Sequence, residues 1–113
     1  MDINEIMVAL CDGLGLPCAQ DFYSGEEDKW VTFNYVDERP AQFSDNKARI
    51  ECADVYVHLF TPLSFDYMEL KRSLRDSLEE NAFLVSSIQS YLEQDTSIRH
   101  TVFECEISQE RSK

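Results

Sequence analysis

One stretch, Ala48 to Asn81, constrains what this chain can fold into more than any other. Its first half, Ala48-Arg49-Ile50-Glu51-Cys52-Ala53-Asp54-Val55-Tyr56-Val57-His58-Leu59-Phe60, alternates apolar and polar residues, the period of a half-buried strand. After Thr61-Pro62 the period changes. From Ser64 onward, Tyr67, Leu70, Leu74 and Leu78 recur at helical spacing, with charged residues on the other faces. A one-sided strand running by a tight turn into a one-sided helix has a simple solution, a helix packed on a sheet. Within the strand the apolar phase shifts: Ala48, Ile50 and Cys52 are even, whereas Val55, Val57 and Leu59 are odd. A β-bulge at Ala53-Asp54 would produce that slip. Ser64 is placed to cap the helix, with Asp66 near its positive end.

The flanking segments supply the rest of the layers. Asp2-x-x-Glu5 has the form of a capping box, and Ile3, Ile6, Met7 and Leu10 make one stripe of a short helix. Gly13, Gly15 and Pro17 end it. Gln20 to Lys29 is acidic and turn-like around Ser24-Gly25, with a short strand beginning at Phe22 and Tyr23. Trp30 to Val36 alternates as a strand, with Val31, Phe33 and Tyr35 on one face and Trp30, Thr32 and Asn34 on the other. Trp30 is then either a sheet-surface residue covered by a helix or an exposed anchor for a partner. Phe83 to Leu92 and Ile98 to Ile107 form a terminal hairpin. In its second strand Thr101, Phe103, Cys105 and Ile107 share one face, and His100, Val102, Glu104 and Glu106 the other. Residues 108–113 are expected to fray. The expectation is a single α+β domain, residues 1–113, in the order α-β-β-α-β-β. Its mostly antiparallel sheet of about four strands packs against the N-terminal helix and a second helix.

Asp37 to Lys47 lacks any period and holds Pro40, charges of both signs, Phe43 and the turn formers Asp45 and Asn46. It is longer than the roughly two to five residues a hairpin needs, so it is expected to be a long loop, where a scaffold tends to carry function. Trp30, Asp37, Glu38, Arg39, Pro40, Phe43, Asp45 and Lys47 are therefore the candidate subunit or partner contacts.

Residue chemistry points away from catalysis. Glycine occurs only at positions 13, 15 and 25, so there is no phosphate-cradling loop. His100 and Cys105, five apart on one strand, face opposite ways, which spoils a Cys–His dyad. His58 falls on the polar face beside Tyr56 and reads as a surface histidine. Glu104 and Glu106 share a face, but among 22 acidic residues that coincidence carries little. Cys11, Cys18, Cys52 and Cys105 include no C-x-x-C pair and read as packed free thiols. No catalytic residue, cofactor or metal is expected. Lys71, Arg72 and Arg75 form the one basic cluster, with acids at pairing distance around them. Met1 to Glu5 has no basic start of a secretory signal, and no apolar run approaches the roughly 20 residues that span a bilayer. The net charge of −12 argues against clamping a nucleic-acid backbone.

Four phrases carry a resemblance: Trp30-Val31-Thr32-Phe33-Asn34-Tyr35, Asp37-Glu38-Arg39-Pro40, Val55-Tyr56-Val57-His58-Leu59-Phe60-Thr61-Pro62, and Arg99-His100-Thr101-Val102-Phe103-Glu104-Cys105-Glu106-Ile107. Over roughly residues 30 to 107 the chain resembles small phage and prophage tail completion or tail terminator proteins of the head–tail joint. The resemblance implies a non-enzymatic homo-oligomer, usually a hexameric ring, at the head-proximal end of a long tail. Its partners would be the tail tube and the head connector or stopper proteins. Its location would be the virion, with assembly in the host bacterial cytoplasm. DNA would pass through such a ring without sequence-specific binding, and an acidic lining would repel it. The alternative is an acidic DNA mimic that inhibits a nucleic-acid-binding enzyme. A mimic needs carboxylates in phosphate-like rows on one face, whereas acids here are spread along the chain.

Overall fold

The computed structural model describes residues 2–44, 47–93 and 96–110. The first element, α1 (Ile3–Gly13), starts at the capping box expected from its sequence. Asp2 Oδ1 accepts from the Glu5 backbone N–H at 2.8 Å, and Glu5 Oε1 accepts from the Asp2 N–H at 3.0 Å. Two otherwise orphaned donors are satisfied reciprocally. Asp2→Ala is expected to cost about 1 kcal/mol, read as a lower thermal midpoint with an unchanged circular dichroism spectrum. Beyond the helix, Gly15 adopts a φ of 73°, the left-handed turn that glycine enters without strain. The chain then enters β1 (Cys18–Gln20).

Four longer strands and a second helix follow: β2 (Trp30–Ser44), β3 (Lys47–Pro62), α2 (Met68–Glu80), β4 (Leu84–Glu93) and β5 (Ile98–Glu110). They make an α+β fold whose five-stranded sheet runs β1-β2-β3-β5-β4. The sheet is mixed, because β1 lies parallel to β2 with Cys18 opposite Val31 and Gln20 opposite Phe33. The other pairings are antiparallel. The expected four-stranded sheet thus gains a short parallel edge, and this strand precedes the predicted start at Phe22.

Both helices lie on one face of the sheet. Ile3, Met7, Leu10 and Cys11 of α1 and Leu74 and Leu78 of α2 are buried with Val31 and Phe33 of β2, Val55, Val57 and Leu59 of β3, and Phe103, Cys105 and Ile107 of β5. The odd positions of β3 and β5 thus make the core, as their alternation requires. Helix α2 starts later than Ser64 would have it. Tyr67 is its N-cap without a side-chain bond, and Asp66 Oδ1 accepts from the Met68 N–H at 3.3 Å. Arg75 and Glu79 make the expected ion pair on its outer face, at 3.5 Å.

Residues 37–44 are not a loop. They continue β2, paired with β3 from Asp37 opposite Asp54 to Ser44 opposite Lys47. A strand of this length spans ~50 Å, and the molecule is 54 Å long but only 24 × 23 Å across. Its radius of gyration, 15.2 Å, exceeds the about 13 Å of a compact chain this size. Of three register shifts between β2 and β3, the one beside Ala53-Asp54 sits on the opposite strand from the one expected. Val36 is the extra residue of β2, between the pairs Tyr35–Val55 and Asp37–Asp54, while β3 pairs with β5 without a break from Ile50 to Pro62. Ile50 and Cys52 simply lie on the face away from the helices. Ser108, Gln109 and Glu110 are also not frayed; they pair with Cys52, Glu51 and Ile50.

Candidate functional site

The sheet face away from the helices carries the most concentrated chemistry. At one end, pairing aligns Trp30 with Phe60, Phe60 with His100, and His100 with Tyr91, one residue from each long strand. Tyr23 extends the row from the loop before β2. Ring centroids are 5.6 Å apart for Tyr23–Trp30, 4.9 Å for Trp30–Phe60, 4.4 Å for Phe60–His100 and 6.2 Å for Tyr91–His100. These are ordinary stacking and tilted aromatic separations. Gly25 leaves room for the Tyr23 ring in this position, since a β-carbon there would meet the ring and hydroxyl. The Glu27 N–H donates to the same hydroxyl at 3.3 Å. Trp30 therefore has neither a helix over it nor a bare ring; it is half-buried between two aromatic neighbours.

His100 of this row also pairs with a second histidine, His58. His58 Nδ1 is 2.7 Å from His100 Nε2, and His58 Nε2 is 2.6 Å from Asn34 Oδ1. The Asn34 oxygen only accepts, which assigns the His58 proton to Nε2. His58 Nδ1 then accepts from His100 Nε2–H, and His100 Nδ1 faces Glu93 Oε1 at 3.6 Å. Protonating His58 would set donor against donor. Burial, and secondarily the neighbouring His100, push the His58 pKa down to about 4. Burial also lowers that of His100, with Glu93 pulling the other way. The pair depends on the β3–β5 register, so sequence reasoning could only see a surface histidine. Nothing in the positions of His58 and His100 along the chain marks the pair before that register is known.

At the far end, Asp37, Asp54 and Glu106 stand in register on β2, β3 and β5. Carboxylates directly opposite one another repel. The Arg39 guanidinium answers this by bonding all three: Nη1 donates to Asp37 Oδ2 at 3.0 Å and Asp54 Oδ2 at 3.1 Å, and Nη2 to Glu106. The charged end itself borders a cavity of about 280 Å³, lined by Asp54 and Glu106 together with Val36, Tyr56, Leu84 and Glu104. Val36 and Leu84 are among the exposed large apolar residues of the molecule.

The eight expected contact residues thus separate. Trp30, Asp37 and Arg39 lie on the helix-free face. Glu38 pairs with Ala53, so it belongs to the opposite face, where it is exposed. Pro40 is exposed on β2 opposite Glu51; Phe43 and Lys47 pair near the hairpin end with Ala48 and Ser44. Asp45 lies outside the described residues. All four cysteines are free thiols. Burial pushes Cys105 up to about 12, and a hydrogen bond to Cys18, together with burial, raises Cys11, so neither is a ready nucleophile at neutral pH. Among the described residues no group of three His, Cys, Asp or Glu side chains is arranged to hold a metal, and no helix is long and apolar enough to cross a membrane. This face thus carries stacked aromatic rings at one end and, at the other, fixed charge bordering a cavity.

No protein-family model matches the chain, and no curated protein matches it. Solved structures do. A chain from the virion of a native gene transfer agent particle is similar with a TM-score of 0.62 at 10% identity, over 96% of this chain and 91% of its own. A second solved chain, whose name states no role, is similar with a TM-score of 0.54 at 9% identity, over 97% and 90% of the two chains. At such identities the likeness is one of fold, and it runs nearly end to end in both pairs.

Proposed function

We propose that this chain is a structural subunit of a phage-like virion. It assembles as a ring, a hexamer, at the head-proximal end of a long tail, where it terminates the tube and joins it to the head connector. The observation that carries this reading is the near end-to-end likeness to a chain of a gene transfer agent virion, together with the resemblance of residues 30 to 107 to tail completion proteins. Two features of the geometry support it. The 54 Å axis set by the β2–β3 hairpin gives each subunit the reach to touch a neighbour or the tube. The helix-free face supplies the aromatic and charged contacts such docking requires. A charge of −12 per subunit suits a passage that DNA must cross without sticking.

The acidic-mimic alternative needs a row of free carboxylates. Here the aligned acids of the helix-free face, Asp37, Asp54 and Glu106, are bonded to Arg39, which weakens their likeness to a run of phosphates.

The test is deletion of the coding sequence from the producing genome, followed by electron microscopy of the particles. Growth of the tube would then lack its stop, so overlong tubes and heads without tails are expected, reversed by supplying the protein in trans. Tails of normal length joined to heads would overturn the proposal.

A further inference from the structure

The two edges of the sheet are built differently. On one side β1 covers only Val31 to Phe33, and the rest of the β2 edge carries the Val36 bulge, Asp37, Glu38, Arg39 and Pro40. Bulges, charges and proline are the devices by which exposed edges are kept from pairing. On the other side lies β4, bonded to β5 along one edge and, among the described residues, to no strand along the other. Its run Leu84-Val85-Ser86-Ser87-Ile88-Gln89-Ser90-Tyr91-Leu92 holds no charge and no proline, in a chain of which 28% is charged. Leu84, Tyr91 and Leu92 are 64%, 51% and 59% exposed. A single irregularity, between Val85 and Ser87, leaves Ser87 to Glu93 in regular register with β5.

We infer that this edge is a site of self-association, in which two copies of the chain pair antiparallel through β4 about a two-fold axis at Ser90. Charge selects the occupant. A basic partner finds no acid along Leu84 to Leu92, whereas two copies carrying −12 each meet with least repulsion along this uncharged run. The residue pattern then selects the register. Centred on Ser90, Ile88 of one copy faces Leu92 of the other, both on the helix-covered side, since they pair with Phe103 and Arg99 of β5. Gln89 faces Tyr91 on the opposite side; these two already hydrogen-bond within one chain. Glu93 meets Ser87 and not the second Glu93, so like charges are kept apart. The product is a ten-stranded sheet continuous across the dimer. A two-fold contact closes on itself at two copies, so this interface is separate from the head-to-tail contact of a closed ring and stands without it.

The experiment combines light scattering over a concentration series with a positional cross-link. Wild-type protein is expected to approach twice 13.1 kDa as concentration rises. Leu92→Lys and Gln89→Lys are each expected to raise the dimer dissociation constant at least tenfold, with unchanged far-ultraviolet circular dichroism. Val8→Lys, at an exposed site on α1, is expected to leave it unchanged. Ser90→Cys is expected to form a symmetric disulfide under oxidised glutathione, because residues directly opposite in antiparallel strands lie at disulfide distance; Ser87→Cys, which would face Glu93, is not. Wild-type protein that stays monomeric at every concentration would overturn the inference. So would an oligomer whose mass is untouched by both lysine variants, or equal cross-linking at positions 87 and 90.

Discussion

Replacing Phe103 by alanine is expected to lower the unfolding free energy by about 3–5 kcal/mol, the range for emptying a fully buried phenylalanine site. Phe103 is 0% exposed in β5, in register with Val57 of β3 on one side and Ile88 of β4 on the other. It shares the buried cluster with Leu74 and Leu78 of α2, so its loss opens a void where the second helix meets the sheet. Single domains have only about 5–15 kcal/mol in total, so the variant is expected to be partly unfolded near 37 °C. Urea unfolding followed by Trp30 fluorescence measures the change. Val102→Ala, one residue along but on the half-buried helix-free face, is the control and is expected to cost far less. A loss below about 1 kcal/mol for Phe103→Ala would mean that the core does not centre on β5.

Mild acid is expected to weaken the fold through one histidine. His58 is held neutral, with its pKa down from 6.5 to about 4. Between those values the unfolded chain binds a proton that the folded chain refuses, so stability is full above pH 6.5 and declines as pH falls toward 4. Below about 4 the folded state takes the proton too, and this contribution levels off. The ring is half-buried and solvent relieves part of the penalty, so the loss is on the order of 1–2 kcal/mol. Glu93, 3.6 Å from His100 Nδ1, favours a charged His100 and offsets some of it. Thermal midpoints from pH 8 to 4.5 measure the effect, and His58→Gln is expected to flatten the profile across that window. A wild-type profile already flat there would show that the histidine pair opens to water.

The elements that were legible in the sequence are those with one wet face and one dry one. Val55, Val57 and Leu59, and likewise Thr101, Phe103, Cys105 and Ile107, alternate because helices cover one side of the sheet. The Asp2–Glu5 box was legible because capping is local chemistry. Asp37 to Ser44 was not, and the reason is physical. That part of the hairpin is built from Asp37, Glu38, Arg39 and Pro40, and burial imposes no period on them. Strand β1 was hidden because a three-residue parallel strand is defined by its partner alone. The slip between Cys52 and Val55 suggested a bulge in β3, yet the extra residue is Val36, which follows Tyr35 on the polar phase of its own strand. Of the candidate site, Trp30, Asp37 and Arg39 were reachable as unusual residues. Their arrangement on one face, and the His58–His100 pair, needed the register between strands far apart in the chain.

The strand order has a consequence for how the protein is made. Strand β3 lies at the middle of the sheet, but one of its two neighbours, β5, is synthesised only after α2 and β4. While the ribosome is still producing those segments, the β3 edge carrying Val55, Val57 and Leu59 has nothing to pair with, and neither has β4. Unpaired apolar strands on neighbouring nascent chains are templates for one another. Recovery of soluble protein therefore becomes a race between the arrival of Ile98–Glu110 and an encounter with another unfinished copy, a race that sparse expression favours over dense.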